Sequence, residues 1–484
     1  MSRRPSSLIL ALDIGSSSVR SALFDNDGTR IKPSTASSNY AVRYTPDGGA
    51  ELEPSALLRA AKNCLGQSLR HHTETASLRG VPILAVAGSA FWHSLIALGR
   101  KREPISPVFT WADSRSTADA AALREKLSER TIQHRTGCML RAQFWPAKLR
   151  WLRRTQPQLF RRTTTWASPA GWLFGELFGV AAVSPSMASG TGLYNLRTGQ
   201  WDPQLCQLCR VRPEQLDLVA SVSTAVRPVH PQLRQIPVFT AIGDGAASNL
   251  GSGADRPGRI AVNIGTSAAA RSILPQRAAP KRIPFGLFKY VVDDACVVIG
   301  GATSNGGNLR QWLLRTLQLS AADQKNALSR TAAAIDGLAV LPFWVSERAP
   351  SWPENLRGTI TGLTAATTAT DILRAATTST YYRLAQILDE LNRSLGETSG
   401  IIVSGGVLHS PAALAILADC LGQDLRICGE LESSLRGAAI HALEKIGCEA
   451  KPLLPGRLVR HQPALSARHR ERRRQQEDLE KRLR

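Results

Sequence analysis

Apolar residues form short runs that alternate with amphipathic stretches along most of the chain. Runs of strand length end at small or polar residues in four places: residues 8–12, 83–88, 236–242 and 401–404. Apolar residues at helical spacing predict a helix over 54–69, and a long helix is predicted over 370–395. Strands that alternate with helices in this way are typical of α/β proteins.

The remaining pattern predicts shorter elements. It favours helices over residues 116–130, 144–154, 168–179 and 308–319, and a strand over 290–299. Residues 187–193 are predicted to form a small-residue loop, and the Gly/Pro-rich residues 251–257 to connect two domains. Ser410 followed by Pro411 predicts the start of another helix.

One short turn occurs twice. Residues 11–18 (ALDIGSSS) match residues 261–268 (AVNIGTSA), and each copy lies between an apolar strand and a return strand. Each copy therefore predicts a β-hairpin with a Gly/Ser/Thr tip, whose amides and hydroxyls suit an anionic oxygen. A chance match is the alternative, because such turns are common. The shared context favours a duplicated two-domain protein that holds phosphate between its halves.

A lone carboxylate lies between the two copies. Asp244 stands in a Gly-Asp-Gly turn directly after the apolar run 236–242. We expect it at the tip of an exposed loop, where an aspartate is ionised at neutral pH and ready to act as a base.

Two other strand ends carry polar groups beside aromatic rings. Residues 89–95 (SAFWHSL) and 109–115 (FTWADSR) have the composition expected where an α/β sheet binds a ligand. The alternative is that Trp92 and Trp111 belong to the core and that Asp113 and Arg115 form a surface ion pair.

Length and charge limit the class of protein. A chain of 484 residues exceeds one comfortable core, so two domains are expected. The formal net charge of +22 is spread along the chain, which favours a basic surface over a nucleic-acid-binding element. Residues 466–484 are predicted to form a solvated basic helix.

Cysteine usage and the N-terminus indicate the compartment. Eight cysteines in a chain this long do not make a disulfide scaffold, and Cys206 and Cys209 are interpreted as two positions on one helix. The apolar run 8–12 is too short for a signal-peptide core, and no run approaches a transmembrane helix in length. A cytoplasmic protein is expected.

Common nucleotide motifs are absent, since the sequence has neither GxxxxGK[ST] nor a GxGxxG that opens a helix. Four segments, in order, instead resemble the FGGY family of carbohydrate kinases: LDIGSSSVRSALFD, IGDGAASNLGSG, VNIGTSAAAR and IIVSGGVLHSPAALAILADCLG. The resemblance spans nearly the whole chain. It implies an α/β, two-domain, duplicated actin-like or hexokinase-like ATPase fold with ribonuclease H-like halves.

The resemblance also implies a division of the chain. Residues 1–253 would form the domain that binds the sugar and carries the catalytic base. Residues 254–448 would form the nucleotide-binding domain, and 449–484 a basic C-terminal tail, predicted to be helical.

Roles for individual residues follow from the resemblance. Asp244 would be the general base, and Asp13 would hold Mg²⁺. The remaining site residues would line the ATP phosphates (Gly15, Ser16, Ser17, Gly265, Thr266 and Ser267), the adenosine (Gly405 and Gly406, with Gly301 and Asn305 nearby) and the sugar (His93, Trp111, Asp113 and Arg115).

Within the family, the segments FWHSL, TWADSR, SMASGTGLYN and SNGGNL most resemble the gluconate kinase branch. The implied reaction is ATP-dependent phosphorylation of gluconate at its 6-hydroxyl. The anionic substrate would need a cation, for which Arg115 is the first candidate and Arg141 the second. The chain departs from the family pattern at Ser346, at Thr378 and near Leu140, which leaves the substrate open.

Two alternatives remain at this point: a pentulose kinase such as a xylulokinase, and a catalytically silent sugar-binding protein of the same fold. The expected partner is a small-molecule sugar or sugar acid. Neither nucleic acid nor membrane is expected, and a homodimer is allowed for.

Overall fold

Two mixed β-sheets, one from each half of the chain, form the framework of the computed structural model, which describes residues 5–225, 228–330, 337–454 and 456–484. The first half contains strands β1 (Leu8–Ile14), β2 (Ser18–Asp25), β3 (Ala36–Asn39), β4 (Arg43–Tyr44), β5 (Ala50–Leu52), β6 (Ile83–Ala90), β7 (Ile96–Leu98), β8 (Val108–Phe109), β9 (Thr165–Ala167), β10 (Ala182–Val183), β11 (Tyr194–Asn195), β12 (Gln200–Trp201), β13 (Leu218–Val219), β14 (Val222–Thr224) and β15 (Pro237–Gly243). Its helices are α1 (Pro54–Glu74), α2 (Thr117–Arg124), α3 (Glu129–Thr136), α4 (Trp145–Thr155), α5 (Pro157–Arg162), α6 (Pro169–Phe178), α7 (Pro185–Ser189), α8 (Pro203–Cys209) and α9 (Asp244–Ser252).

The second half repeats the alternation of strands and helices. Its strands are β16 (Arg259–Ile264), β17 (Ala268–Pro275), β18 (Phe288–Val291), β19 (Cys296–Thr303), β20 (Ala339–Leu341), β21 (Thr359–Thr361), β22 (Gly400–Ser404), β23 (Leu425–Ile427) and β24 (Leu458–Val459). Its helices are α10 (Gly307–Leu317), α11 (Ala321–Ala327), α12 (Ala369–Leu395), α13 (Pro411–Leu421), α14 (Ser433–Lys445) and α15 (Pro463–Leu483).

Sheet topology confirms the predicted duplication. The first sheet has the order β14-β15-β6-β1-β2-β3, and the second has the order β18-β19-β17-β16-β22-β23-β24. In each, a hairpin (β1–β2 or β16–β17) is followed by two parallel strands on one side and an antiparallel strand on the other. The predicted α/β fold with two related halves is therefore the observed one.

Helices from both halves cover the first sheet. Helices α1 and α6 pack on one face, with Leu57 and Phe174 in that core. The other face, which includes Ile9 of β1, is covered by Leu435 and Leu443 of α14, a helix from the second half. Helix α14 crosses α9 so closely that a Cβ on Gly437 would come within 1.7 Å of the Ala247 carbonyl oxygen. The two halves are thus joined by a tight pair of helices.

The second sheet has its own core. Helices α12 and α13 pack on it through residues such as Ile387 and Leu417, which are fully or almost fully buried. Ser410 caps α13 by accepting a hydrogen bond from the Ala413 amide, as predicted. Thr368 and Asp371 form a capping box at the start of α12.

Several local predictions are wrong. Residues 116–130 form parts of two helices, α2 and α3, because the chain turns between Arg124 and Glu129. The strand predicted at 290–299 is a hairpin, β18–β19, whose turn contains Asp293. The loop predicted at 187–193 begins inside α7, and the linker predicted at 251–257 begins inside α9. Short elements of this kind depend on tertiary contacts more than on local pattern.

The C-terminal segment forms a helix, as predicted, but one side of this helix is buried. In α15, His469, Gln476 and Glu480 are buried, and the Tyr382 hydroxyl of α12 hydrogen bonds to His469. Helix α15 thus packs against the second half, although the basic composition of residues 466–484 predicted a solvated helix. The domain boundaries at 253/254 and 448/449 stay predictions.

Two smaller findings concern cysteines and membranes. Cys206 and Cys209 lie on one helix, α8, as predicted, and both are buried free thiols. Within the described part of the chain, no helix is both long and apolar enough to cross a membrane.

Candidate active site

Three parallel strands of the first sheet end at one edge, and each brings a polar group there. Asp13 lies near the end of β1, Ser89 near the end of β6, and Asp244 directly after β15. Parallel strands place such groups together because their carboxyl ends share one edge of the sheet. The sequence predicted Asp13 and Asp244 as site residues, and the fold brings them to the same edge.

Asp244 occupies the first turn of α9, not the tip of an exposed loop. Gly243 is the N-cap of this helix, and the indole of Trp92 lies directly over it. Burial raises the pKa of the Asp244 carboxyl above its usual range, while Arg271 and the Gly245 amide act in the opposite direction. The expectation of an exposed, ordinarily titrating aspartate is therefore wrong. The helix N-terminus and Arg271 favour its ionised form.

Asp13 is a buried carboxylate with few partners. It is 6% exposed and accepts a hydrogen bond of 2.5 Å from the Ser89 hydroxyl. Burial raises its pKa to about 6, a change opposed by Ser89 and Arg20 and reinforced by the charge of Asp244. Such a carboxylate is suited to a cation, which would replace the solvation that the fold has removed.

The two hairpin tips face one cleft between the halves. Ser16 and Ser17 of the first tip and Thr266 of the second line this cleft, and Ser16 and Ser267 line the cavity that adjoins it. Helix α10 begins against the second tip, where the Gly307 amide donates to the Gly265 carbonyl and the Asn308 amide to the Thr266 carbonyl. The fold thus brings together two turns that are 250 residues apart in sequence.

The second tip has its own version of the Asp13–Ser89 pair. Asn263 of β16 donates a 2.9 Å hydrogen bond to Ser404 of the parallel strand β22. Gly405 follows Ser404 with φ of 91°, and a Cβ there would come within 2.6 Å of the Ile264 carbonyl oxygen. Gly405 and Gly406 therefore lie beside the base of the second tip, where only glycine fits at position 405.

Aromatic side chains surround the cavity that contains Asp244. Trp92, His93, Trp111, Phe288, Tyr290 and Trp352 line it. The His93 ring contacts Phe144 and Tyr290 edge-on, and its Nδ1 lies 2.5 Å from the Gly190 carbonyl oxygen. Burial lowers the pKa of His93 to about 3, so the imidazole is neutral. Two of the predicted sugar residues, His93 and Trp111, therefore lie with Asp244 in one cavity.

Two arginines that the sequence analysis did not single out share this cavity. Arg271 of β17 lies beside Gly245, and its buried Nε has no hydrogen-bond partner among the described residues. Arg348 lies with its guanidinium 4.7 Å from the centre of the Trp111 ring, and it donates to Ser304 and to the Thr303 carbonyl. Burial lowers the pKa of Arg348 to about 10, which leaves it charged at neutral pH. The cavity is therefore aromatic and cationic, with one carboxylate.

Both arginines predicted to meet a substrate anion are held in ion pairs. Arg115 donates to Asp113 and, at 2.7 Å, to Glu51, and its guanidinium packs on Trp151. Arg141 is bound by Glu129 and Glu354. Asp113, predicted as a sugar ligand, is 2% exposed and is a partner of Arg115. Arg115 is thus held by one acidic residue two positions away and another 64 positions away, and its role as the anion-binding cation stays a prediction.

Two residues predicted to lie near the adenosine have other neighbours. Gly301 lies in β19, where a Cβ would meet Ile387 of α12. Asn305 is fully buried, and its amide group bonds to Glu347 and to both backbone groups of Val345. Gly301 thus allows a helix to pack closely and Asn305 holds the segment that carries Arg348, while a position of both near the adenosine stays a prediction.

The buried amine of Lys148 holds the backbone beside a residue that lines the cavity. Its Nζ donates to the carbonyls of Ala142 and Gln143, and Gln143 lines the cavity. Burial lowers the pKa of Lys148 from 10.5 to about 7, partly offset by Asp113. Between these two pH values the folded protein binds fewer protons than the unfolded chain, so its stability increases as the pH rises.

We expect this increase to disappear in Lys148→Met. Between about pH 6.5 and about pH 9, the free energy of unfolding of the wild type should rise by about 2–3 kcal/mol relative to the variant. Urea denaturation of both proteins at several pH values measures the two free energies of unfolding. Their difference cancels the effect of titrating groups that the two proteins share. A difference that is flat with pH would show that Lys148 is not buried as a neutral amine.

Signals for the missed residues were present in the sequence. Arg271 ends the segment VNIGTSAAAR, and Arg348 lies next to Glu347 in SERAP. An arginine two residues beyond Ala269 on a return strand points to the same face as that alanine. The sequence does not indicate which face of β17 is turned towards the cavity. It also does not indicate which of the many arginines reach the cavity, because that depends on how the two halves pack.

Comparison with known proteins agrees with the fold. The model of the FGGY family of carbohydrate kinases, N-terminal domain, matches residues 8–251, and that of the C-terminal domain matches 260–444. A gluconokinase of Bacillus subtilis is 28% identical over 94% of this chain and 92% of its own length.

Two solved structures are also similar. A ligand-bound xylulose kinase from Lactobacillus acidophilus has a TM-score of 0.86 and 25% identity, covering 99% of this chain and 98% of its own. A gluconate kinase from the same organism has a TM-score of 0.85 and 24% identity with the same coverage.

Proposed function

The chain belongs to the FGGY family of carbohydrate kinases, and on that premise we propose that it transfers the γ-phosphate of ATP to the 6-hydroxyl of gluconate. Phosphotransfer to an alcohol group, with ATP as co-substrate, is the family activity. The choice of gluconate rests on one observation above all: Arg271 and Arg348 line the cavity that contains Asp244.

Asp244 would act as the general base. It lines the cavity, and the helix N-terminus and Arg271 oppose the effect of burial on its pKa. A carboxylate in this position can accept the proton of the attacking hydroxyl as the phosphoryl group departs from ADP. The aromatic walls of the cavity would exclude water, which would otherwise compete as the acceptor.

The hairpin tips would hold the triphosphate. Ser16, Ser17 and Thr266 line the cleft next to this cavity, and the hydroxyls and backbone amides of such turns suit phosphate oxygens. Gly15, Gly265 and Ser267 complete the tips, and Gly405 and Gly406 would lie near the adenosine. The residues present fit a Mg²⁺ ion, because Asp13 is a buried carboxylate with one hydroxyl donor at the end of β1, close enough to Asp244 for that charge to raise its pKa. The ion would neutralise charge on the phosphates.

An anionic acceptor would use the cationic wall of the cavity. A carboxylate removed from water needs a charged partner, and a guanidinium can offer two parallel N–H donors. Arg348 would bind the gluconate carboxylate, with Arg271 as a second donor. His93 and Trp111 would contact the sugar chain.

A panel of acceptors tests the proposal directly. Gluconate, xylulose, ribulose and glycerol are compared in a coupled assay of ADP release, with ATP saturating. We expect the highest kcat/KM for gluconate. A higher value for a neutral ketopentose would replace gluconate by the pentulose assignment, which the likeness to the xylulose kinase structure keeps as the second candidate. No turnover with any acceptor would favour a silent sugar-binding protein.

A further inference from the structure

The C-terminal helix α15 contacts the segment that carries two cavity residues. Arg348 and Trp352 both line the cavity, and Ser351 lies between them in sequence. The Ser351 hydroxyl donates a 2.6 Å hydrogen bond to Glu480 of α15. The family model for the C-terminal domain matches residues 260–444, so Ser351 lies inside the matched region and α15 beyond it.

Glu480 belongs to a buried network of three elements. Arg383 of α12 is 1% exposed and donates 2.8 Å hydrogen bonds to Glu480 and to the Ser351 hydroxyl. It also donates to the Ala349 carbonyl. Arg484 donates to Glu480 and to the Ser351 carbonyl. Glu480 is 5% exposed, and although burial raises the pKa of a carboxyl, Arg383, Ser351 and Arg484 hold that of Glu480 below its usual range.

The network fixes the segment on the side away from the cavity. On the cavity side, Arg348 packs on Trp111, while the Trp352 indole donates to the Gly286 carbonyl. Arg383 thus donates hydrogen bonds to the Ala349 carbonyl and the Ser351 hydroxyl, and Glu480 accepts one from that hydroxyl. Both groups lie between the two cavity residues in sequence. Loss of the Glu480 charge would leave the Arg383 guanidinium buried without its ion-pair partner. The free-energy cost of such an unpaired buried charge is large enough to shift residues 349–351.

We propose that Glu480 of α15 is a positioning residue for the acceptor site, because it holds Ser351 and Arg383 so that Arg348 and Trp352 face the acceptor. The proposal rests on the assignment of this cavity to the acceptor. It gives the basic C-terminal helix a role in substrate recognition, although the helix itself does not line the cavity.

Glu480→Gln tests the proposal, with Glu471→Gln as the matched control. Glu471 lies on the same helix, is 62% exposed and forms a surface ion pair with Arg474. The first measurement is amide hydrogen exchange of the unliganded protein. We expect peptides covering residues 346–356 to exchange at least several-fold faster in Glu480→Gln, with the peptides of β1 and α9 unchanged and the control like the wild type. This readout does not depend on which acceptor is phosphorylated.

The second measurement is steady-state kinetics. In Glu480→Gln, the KM for the best acceptor of the panel should rise several-fold while the KM for ATP stays near the wild-type value, a split that general loss of stability would not produce. Unchanged exchange in 346–356, or faster exchange with an unchanged acceptor KM, would overturn the proposal.

A second variant covers the case in which Glu480→Gln does not fold. Ser351→Ala removes one hydroxyl and leaves the Arg383–Glu480 ion pair, so it should show the same changes with smaller size. If the wild type phosphorylates none of the acceptors, the proposed function fails, whereas the exchange comparison still supports or overturns the role of Glu480 in holding the segment.

Discussion

Asp244→Asn is expected to lower kcat by about two orders of magnitude or more, with the KM for ATP within about twofold of the wild type. Asparagine has nearly the shape of aspartate but cannot take a proton from the acceptor hydroxyl. The residue lies in the cavity next to Arg271, and although Ser16 and Ser267 of the hairpin tips line the same cavity, the substitution leaves the groups that would hold ATP in place. The loss should therefore appear in kcat and not in nucleotide binding.

Asp255→Asn is the matched control for this variant. Asp255 follows the same helix, is 39% exposed and pairs with Arg256 at the surface. We expect this control to keep the wild-type kcat. Steady-state kinetics with ATP and acceptor varied in turn measures both variants. Wild-type turnover in Asp244→Asn would remove this residue from the mechanism.

Arg348→Lys is expected to raise the KM for gluconate about tenfold or more, which corresponds to the loss of a charge-assisted hydrogen bond. Lysine keeps the charge but loses the planar fork that meets a carboxylate with two donors, and it stacks less well on Trp111. The KM for ATP should change little. For a neutral ketopentose the effect should be much smaller, because such an acceptor has no carboxylate.

Arg115→Lys distinguishes this assignment from the one that the sequence favoured. Arg115 is bound by Asp113 and Glu51, so its replacement should change thermal stability more than the KM for gluconate. The opposite result would be a gluconate KM that changes with Arg115 and not with Arg348. It would contradict the assignment of Arg348 to the gluconate carboxylate and favour Arg115 instead.

The sequence predicted the framework of the site because the framework is local. Both hairpin tips lie inside single short segments, and Asp244 directly follows an apolar strand. Strand, turn and return strand are set by neighbouring residues, so their pattern survives in the linear sequence. The duplication followed from the match of one tip with the other.

The environment of each group could not be predicted in the same way. Glu51, the partner of Arg115, is 64 residues away in sequence, and Glu354 lies 213 residues from Arg141. In a chain with 60 lysines and arginines, the sequence does not indicate which cations are already paired. The pKa of Asp244 likewise depends on burial, which raises it, and on Arg271, which opposes the rise, and only the folded chain supplies both.

The contact of α14 with the first sheet affects how the chain is made. Strand β15 completes that sheet at Gly243, yet the helix that covers its second face begins at Ser433. A ribosome needs on the order of ten to forty seconds to synthesise the residues between them. During that time the face containing Ile9, Ala11 and Phe24 has no cover from α14. The newly made N-terminal half therefore exposes apolar surface until α14 has been synthesised, and a chaperone that binds apolar surface would find its target there.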